Sequence, residues 1–290
     1  MDIVTRLREG PVLVADGAMG TMLQDLDIPP GTPGEVLVMQ QPEAILSVHR
    51  TYVEAGAGLI LSCSFGGTRT RLAHAGLGDQ VAEVNRRAVA LAREAAAGHA
   101  YVAGDIGPMG ELLAPLGART YDEAIDIFAE QASALAEAGV DVLYVETMAS
   151  LDEARAAVEG ARQAAPDLPL TVTLSFDTKG RTNMGVRPEQ AAQALLDLGV
   201  TAIGANCGNT LEMTEAAVRK MHDVAPQALL IIKPNAGLPQ MVEDEIVYDA
   251  TPADMAALAR RLVDEVGVRI VGGCCGSTPA HIAAIAQAVS

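Results

Sequence analysis

The stretch VDVLYVETMASLDEARAAVEGARQA, residues 140–164, joins two patterns that belong to different kinds of element. Residues 140–147 form a near-continuous apolar run, which fits a strand covered on both faces. Residues 151–164 place Ala and Val at three- and four-residue spacing among charged residues, which fits an amphipathic helix. Working outward, apolar runs recur at VLVADGA (12–18), GLILSCSF (58–65), AYVAGDIG (100–107), LTVTLSF (170–176), AIGANCG (202–208), LLIIKPNAG (229–237) and RIVGGCCG (269–276). An Ala-rich helical pattern follows each of them, and several of these patterns end at Gly. Eight strand–helix alternations predict an α/β fold of one domain, a (β/α)8 TIM barrel over residues 1–290; a doubly wound open sheet is the second choice. One long insertion, MGTMLQDLDIPPGTPGEVLVMQQ (19–41), separates the first strand from its helix. A loop there would cover the barrel mouth.

Composition narrows the function. Half of the 290 residues are hydrophobic, but there are three Phe, five Tyr and no Trp, so the core must be built from aliphatic side chains. The formal charge of −17 argues against nucleic acid or an anionic membrane as partner, since both need clustered Lys and Arg. No apolar run approaches the ~20 residues of a membrane span, and MDIVTRLREG lacks the apolar centre of a signal peptide, so a cytoplasmic protein is expected. Four cysteines are too few for a disulfide scaffold; in a reducing compartment, grouped thiols point to metal binding or catalysis.

In a barrel of this kind the chemistry gathers at the C-terminal ends of the strands. The polar residues there are Asp16, Ser62, Cys63, Ser64, Asp105, Glu146, Ser175, Asp177, Asn206, Cys207, Asn235, Cys274 and Cys275, which include every cysteine of the chain. Cys207 with Cys274 and Cys275 would supply three thiolates to a zinc ion and leave its fourth position to a substrate. Neighbouring strand residues face opposite ways, so Cys274 and Cys275 can share an ion only where the strand ends; Gly272, Gly273 and Gly276 are expected to give the backbone that freedom. A disulfide between Cys274 and Cys275 is the competing reading. The five histidines fall in helices or loops, which disfavours a His-based triad, and no phosphate-binding glycine motif follows a strand.

The motifs DGAMGTMLQ (16–24), SFGGTRTRL (64–72), GDIGPMGELL (104–113), ETM (146–148), GANCGN (204–209), KPNAGLP (233–239) and GGCCGSTPAHI (272–282) together resemble the zinc-dependent homocysteine S-methyltransferases. That family includes betaine-using enzymes and the N-terminal homocysteine-binding module of cobalamin-dependent methionine synthases. The resemblance covers essentially the whole chain. It implies that residues 1–290 form one homocysteine-binding-type barrel and that Cys207, Cys274 and Cys275 hold zinc while a substrate thiol takes the open position. It implies further that Asp16 and Glu146 meet the substrate ammonium and that the amides of Gly17 and Ala18 meet its carboxylate. Asn235, read from its place in PNAGLP, either orients substrate or fills the fourth zinc position in its absence, or simply forms the turn before Ala-Gly. Asn206 is expected to brace the strand end, and Cys63 to be a packing residue.

The same resemblance implies a methyltransferase that converts homocysteine to methionine. Betaine recognition would need an aromatic cage around its trimethylammonium group. At the places where betaine enzymes carry the cage, this chain has EVLVM (35–39), Gly66 and Thr147, with Phe65, Phe176 and Tyr144 as conceivable substitutes. The first reading is therefore methylcobalamin carried on a separate corrinoid protein that docks over the mouth. Alternatives are a betaine- or S-methylmethionine-dependent homocysteine methyltransferase, another small sulfonium donor, a demethylase passing methyl groups to a different thiol or corrinoid, and a structural-zinc adaptor subunit without chemistry of its own.

Overall fold

Each of the eight apolar runs becomes a strand in the computed structural model, which describes residues 1–24, 28, 31–177, 179–242 and 245–290. The barrel strands are β1 (Leu13–Val14), β2 (Leu59–Leu61), β3 (Tyr101–Ile106), β4 (Val142–Met148), β5 (Leu170–Leu174), β6 (Ala202–Cys207), β7 (Leu230–Pro234) and β10 (Ile270–Val271). They pair in parallel in the order β1-β10-β7-β6-β5-β4-β3-β2. A parallel bridge between Ala15 and Leu59 joins the two ends, so the sheet is a closed barrel and not the open alternative.

The runs read as continuously apolar because two different cores use them. On β4, Leu143 and Val145 face the helices, whereas Val142 and Tyr144 face the barrel axis. The axial cluster contains Leu13, Ala15, Leu59, Leu61, Ala103, Val142, Tyr144, Ala202, Ile231 and Ile270. Continuing the two-residue alternation towards the C-terminal ends brings Asp105 above Ala103, Glu146 above Tyr144, Asn206 above Gly204 and Lys233 above Ile231. The interior is thus apolar below and polar at the mouth.

The lower end is closed by a short helix, Ile3–Glu9, that no periodicity in the sequence predicts. Ile3 and Leu7 of Ile3–Glu9 enter the axial cluster, and Asp2 caps the helix by accepting from the Thr5 amide at 3.0 Å. Arg269, just before β10, donates to the Leu7 carbonyl at 2.7 Å. The outer helices start where cap residues allow: Thr120 forms a capping box with Glu123, Ser150 caps Leu151–Ala164, and Thr251 pairs with Asp254.

Two features of the mouth differ from expectation. The 19–41 insertion is not a plain loop: it carries helices Met19–Gln24 and Gly34–Gln40, while residues 25–27, 29 and 30 of it lie outside the described residues. Downstream of β7, strands β8 (Pro239–Val242) and β9 (Glu245–Tyr248) form a separate antiparallel hairpin that the pattern of apolar runs does not predict. No helix among the described residues is long and apolar enough to cross a membrane.

His49, in helix Pro42–Glu54, is fully buried with no partner for either ring nitrogen, and burial pushes its pKa down from 6.5 to about 4. The unfolded chain therefore takes up a proton near pH 6.5 that the folded chain refuses until about pH 4. The sign follows: nothing changes above pH 6.5, and stability falls by about 3 kcal/mol as the pH drops through that window. His49→Leu is expected to remove this increment of acid sensitivity. Urea unfolding of both proteins at pH 7 and pH 4.5 measures it, and equal losses in the two would refute it.

Candidate metal and substrate site

Three thiols converge at the mouth. Cys207 Sγ lies 3.2 Å from Cys274 Sγ and 4.0 Å from Cys275 Sγ, and the three sulfurs all lie within 4.8 Å of one another. Sulfurs held about 2.3 Å from one ion in a tetrahedron are separated by about 3.8 Å, so the triangle has the right size. All four cysteines are free, and the vicinal pair forms no disulfide. Cys63 stands outside the triangle: it is buried beside Gly34, and burial holds its thiol well above the ordinary range. That matches the packing role expected of it.

The backbone that delivers the thiols is unusual at two places. Cys207 has φ 57 and Gly276 φ 78, both left-handed, so the last residue of β6 and the residue after the vicinal pair turn sharply. Gly272 and Gly273 do not share that conformation, which corrects the expectation that they supply backbone freedom. Gly272 is needed because a Cβ there would stand 2.9 Å from the Ala15 Cβ, and one at Gly273 would run into the Ser277 side chain. Hydrogen bonds then fix the turn. Cys274 N donates to Pro234 O at 2.8 Å, Ala236 N to Cys275 O at 2.9 Å, and Thr214 Oγ1 to Cys207 O at 3.0 Å.

Beneath the thiols lies the polar layer. Lys233 Nζ donates to Asp16 Oδ1 at 3.0 Å, and the Leu61 amide donates to Asp16 Oδ2 at 2.8 Å. Burial opposes the charge on Lys233, but Asp16 and Glu146 outweigh it and hold the ammonium above its usual pKa. Glu146 is pushed up to about 8 by burial, with Lys233 opposing. Asp105 is raised well above the carboxylate range, first by burial and then by the charge of Glu146. Asn206 ties the layer together. Its Oδ1 accepts from Thr147 N (2.9 Å) and Thr173 Oγ1 (2.8 Å), which fixes the amide's orientation. Its Nδ2 then faces Thr147 Oγ1 at 2.6 Å, Glu146 Oε2 at 3.4 Å and Cys274 Sγ at 3.9 Å.

The other predicted residues fall as follows. The Ala18 amide donates to Ser277 Oγ at 3.2 Å, and a Cβ at Gly17 would press on Ser277 and the Tyr52 ring. Tyr52 Oη lies 3.0 Å from both Ala18 O and Ser277 O and so fixes this turn. Asn235 Nδ2 donates to Gly208 O at 2.7 Å beside the Cys207 turn, and its buried Oδ1 has no partner. Ser175 and Asp177 are engaged by backbone contacts with Met148 and Arg181. Phe65 packs under the Arg71 guanidinium, 5.6 Å from the ring centre, and Tyr144 is buried beneath Lys233. His281 caps its own helix, with Nδ1 accepting from Thr278 N at 3.1 Å. Lys233, Ser277, Tyr52 and Tyr248 received no role from the sequence. For Lys233 the signal was present as a cation at the end of LLIIK, where a buried charge demands a partner.

A barrel whose strand ends gather three thiols above buried carboxylates, a lysine and an oriented amide has the donor set to hold a soft metal ion beside groups suited to a small polar ligand. Residues 13–289 match the model of the homocysteine S-methyltransferase family, and the chain belongs to that family of methyltransferases. It is 35% identical over 297 residues to the methionine synthase of Mycobacterium leprae and 33% identical to that of Mycobacterium tuberculosis. Each alignment covers 96% of this chain but only 24% and 25% of those proteins, so the chain spans about a quarter of their length. Among solved structures, it is similar to the homocysteine methyltransferase MmuM of Escherichia coli. The metallated form has a TM-score of 0.82 at 27% identity, covering 98% of this chain and 99% of that one; the apo form has 0.74.

The ring of Tyr248 lies so close to Gly276 that a Cβ there would fall inside it, and φ 78 strains any other residue. Gly276→Ala is expected to cost about 3 kcal/mol in urea unfolding, part from backbone strain and part from overpacking. Tyr248→Ala relieves only the second part, so the double variant should recover about half of the loss. Additive costs in the cycle would show that the ring and the turn are not in contact.

Proposed function

We propose that the protein transfers a methyl group to the thiol of homocysteine, forming methionine, with zinc held by Cys207, Cys274 and Cys275. The observation that carries this reading is the convergence of three thiols within 4.8 Å directly above a buried layer containing both carboxylates and a cation. The donor set fits zinc, since thiolate sulfur suits a soft tetrahedral ion and three ligands leave one position for a substrate. Asn235 adds to the fit, because its buried Oδ1 lacks a partner beside Cys207 and could occupy that position until a thiol arrives. A bound zinc would lower the pKa of the substrate thiol and keep it ionised at neutral pH.

The chain's own residues position the acceptor. Glu146 faces the site with a single long contact to Asn206, which leaves it free to take an ammonium group. Asp16 contributes its charge from its pairing with Lys233, and of the two amides after β1 the one at Gly17 is assigned to the substrate carboxylate, since that of Ala18 is held by Ser277 Oγ. Asn206 orients Glu146 and reaches Cys274, so that substrate and sulfur centre share one support. In the transfer, the substrate sulfur forms a bond to the methyl carbon while the carbon–donor bond breaks, and its electron pair leaves with the donor.

A methyl group presented by methylcobalamin on a corrinoid protein is the donor favoured by the mouth. Six of the eight exposed large hydrophobics among the described residues, Leu112, Leu116, Met184, Leu238, Met241 and Val247, belong to segments that follow β3, β5 and β7 on this face. Such a concentration fits a protein surface docking there better than a small donor entering alone. The similarity to methionine synthases supports the same reading.

Cys207→Ala is expected to lose stoichiometric zinc and thiol methylation together, measured by metal analysis and methionine formation. Full activity of a metal-free variant would overturn the assignment. With zinc-loaded protein and homocysteine, turnover is expected with methylcobalamin and not with betaine. Turnover with S-methylmethionine alone would replace the corrinoid donor, and binding of zinc without any change at the metal on adding homocysteine would favour a structural adaptor.

A further inference from the structure

The three thiols are not held by the same parts of the fold. Cys207 ends β6, where Thr214 Oγ1 and the Asn235 backbone amide hold its carbonyl. Cys274 is tied to the barrel wall by its amide, which donates to Pro234 O at 2.8 Å, and its carbonyl accepts from Ser277 N at 3.1 Å and Ser277 Oγ at 2.6 Å. Cys275 depends on the mouth. Its carbonyl accepts from Ala236 N, beyond the end of β7, and the residue after it, Gly276, meets two segments that lie outside the barrel strands. The Gly276 amide donates to Thr21 Oγ1 of helix Met19–Gln24 at 3.0 Å, and the space where Gly276 lacks a side chain is filled by the ring of Tyr248.

Tyr248 is the last residue of β9 and pairs with Pro239 of β8, in a hairpin that forms a sheet of its own beside the barrel ladder. Alternation along β9 turns Val247 outwards, 46% exposed, and Tyr248 inwards. Its Cγ, Cδ1 and Cδ2 are the atoms nearest to where a Cβ at Gly276 would stand, and the charges of Cys275, Cys207 and Cys274 all bear on its phenol. The base of the hairpin is fixed behind the ring. Ala250 N donates to Ala236 O at 2.9 Å, and Asp249 Oδ1 accepts from Leu238 N at 2.9 Å. His281, whose Nδ1 accepts from Thr278 N, donates from Nε2 to Ala250 O at 3.1 Å. A ring carried on a braced hairpin and pressed onto a left-handed glycine leaves the turn after Cys275 no room to open.

We infer that Tyr248 is a positioning residue of the thiol centre: its ring, braced against Gly276, holds Cys275 where its sulfur can share an ion with those of Cys207 and Cys274. The inference rests on the three cysteines binding a soft ion, and it adds that the third thiol is placed by a hairpin outside the barrel. Without the ring the turn at Gly276 is free to relax, and the ion keeps only the two thiols that the strand ends hold. The contact is made by the ring, so Phe can replace Tyr here and Ala cannot.

Titration of the reduced, metal-free protein with cobalt(II), followed by displacement with zinc, tests it, because sulfur-to-cobalt charge-transfer absorption reports the number of bound thiolates. In Tyr248→Ala, zinc affinity should fall about 10- to 100-fold, the range for a group that orients a ligand from behind. At saturating cobalt its charge-transfer absorbance should drop by about a third, since one of three soft thiolate ligands is lost. Tyr248→Phe should stay within about threefold of the parent in affinity and keep the full absorbance. Urea unfolding of the metal-free proteins checks that the barrel is intact; should Tyr248→Ala fail to fold, Tyr248→Leu serves as the second variant and should bind zinc more weakly than Tyr248→Phe. Unchanged affinity and absorbance in Tyr248→Ala, or an equal loss in Tyr248→Phe, overturns the inference alone. A parent protein that binds neither metal overturns the metal assignment and the inference with it.

Discussion

The buried ion pair between Lys233 and Asp16 is the contact on which the mouth of this barrel depends. β1 and β10 are only two residues long, and β1 meets β2 through the single bridge at Ala15 and Leu59, so the ladder is thinnest where the barrel closes. Asp16 sits just above that bridge and ties three strands through its carboxylate and its carbonyl. Its side chain binds Leu61 of β2 and Lys233 of β7, and its carbonyl accepts from Gly273 at 3.1 Å. Removing one member of a buried pair leaves the other charge uncompensated, at a cost of roughly 3–5 kcal/mol. The closure therefore uses charge beside a short run of backbone hydrogen bonds.

The same contact bears on the sulfur triangle. Gly273, held by Asp16, precedes Cys274, whose amide is in turn held by Pro234, one residue after Lys233. A shift of Asp16 would move the vicinal cysteines relative to Cys207. Backbone strain at Cys207 is tolerated because Thr214 and Asn235 both hold its carbonyl, at 3.0 and 3.4 Å. The three thiols, the ion pair and the polar layer are one connected unit and not three neighbouring features.

Much of this was legible in the sequence. The apolar runs predicted every barrel strand, since strands buried on both faces leave that pattern irrespective of partner. Cys207, Cys274 and Cys275 were identifiable because soft thiols grouped at strand ends have few other uses, and the structure brings their sulfurs together. Lys233 was overlooked because LLIIKP reads as one strand; only the two-residue alternation within the closed barrel shows that its side chain shares the axial face with Ile231. Helix Ile3–Glu9 was missed for the opposite reason, being too short to show a periodicity. The roles of Gly272 and Gly273 were misjudged because close approach to β1 is a tertiary fact that the glycines alone do not declare.

In the proposed reading, acceptor and donor are recognised by parts of the fold with different constraints. The groups around the acceptor stand on strand ends, where the packing of two cores fixes each Cα and any change disturbs the barrel. The donor side consists of segments after β3, β5 and β7, which include the hairpin β8–β9 and expose Leu116 and Met241 to about two thirds. Those segments can change without unseating the thiols or the ion pair. On that reading a single barrel of this design keeps one acceptor while its methyl source varies with surface residues that follow no periodic rule.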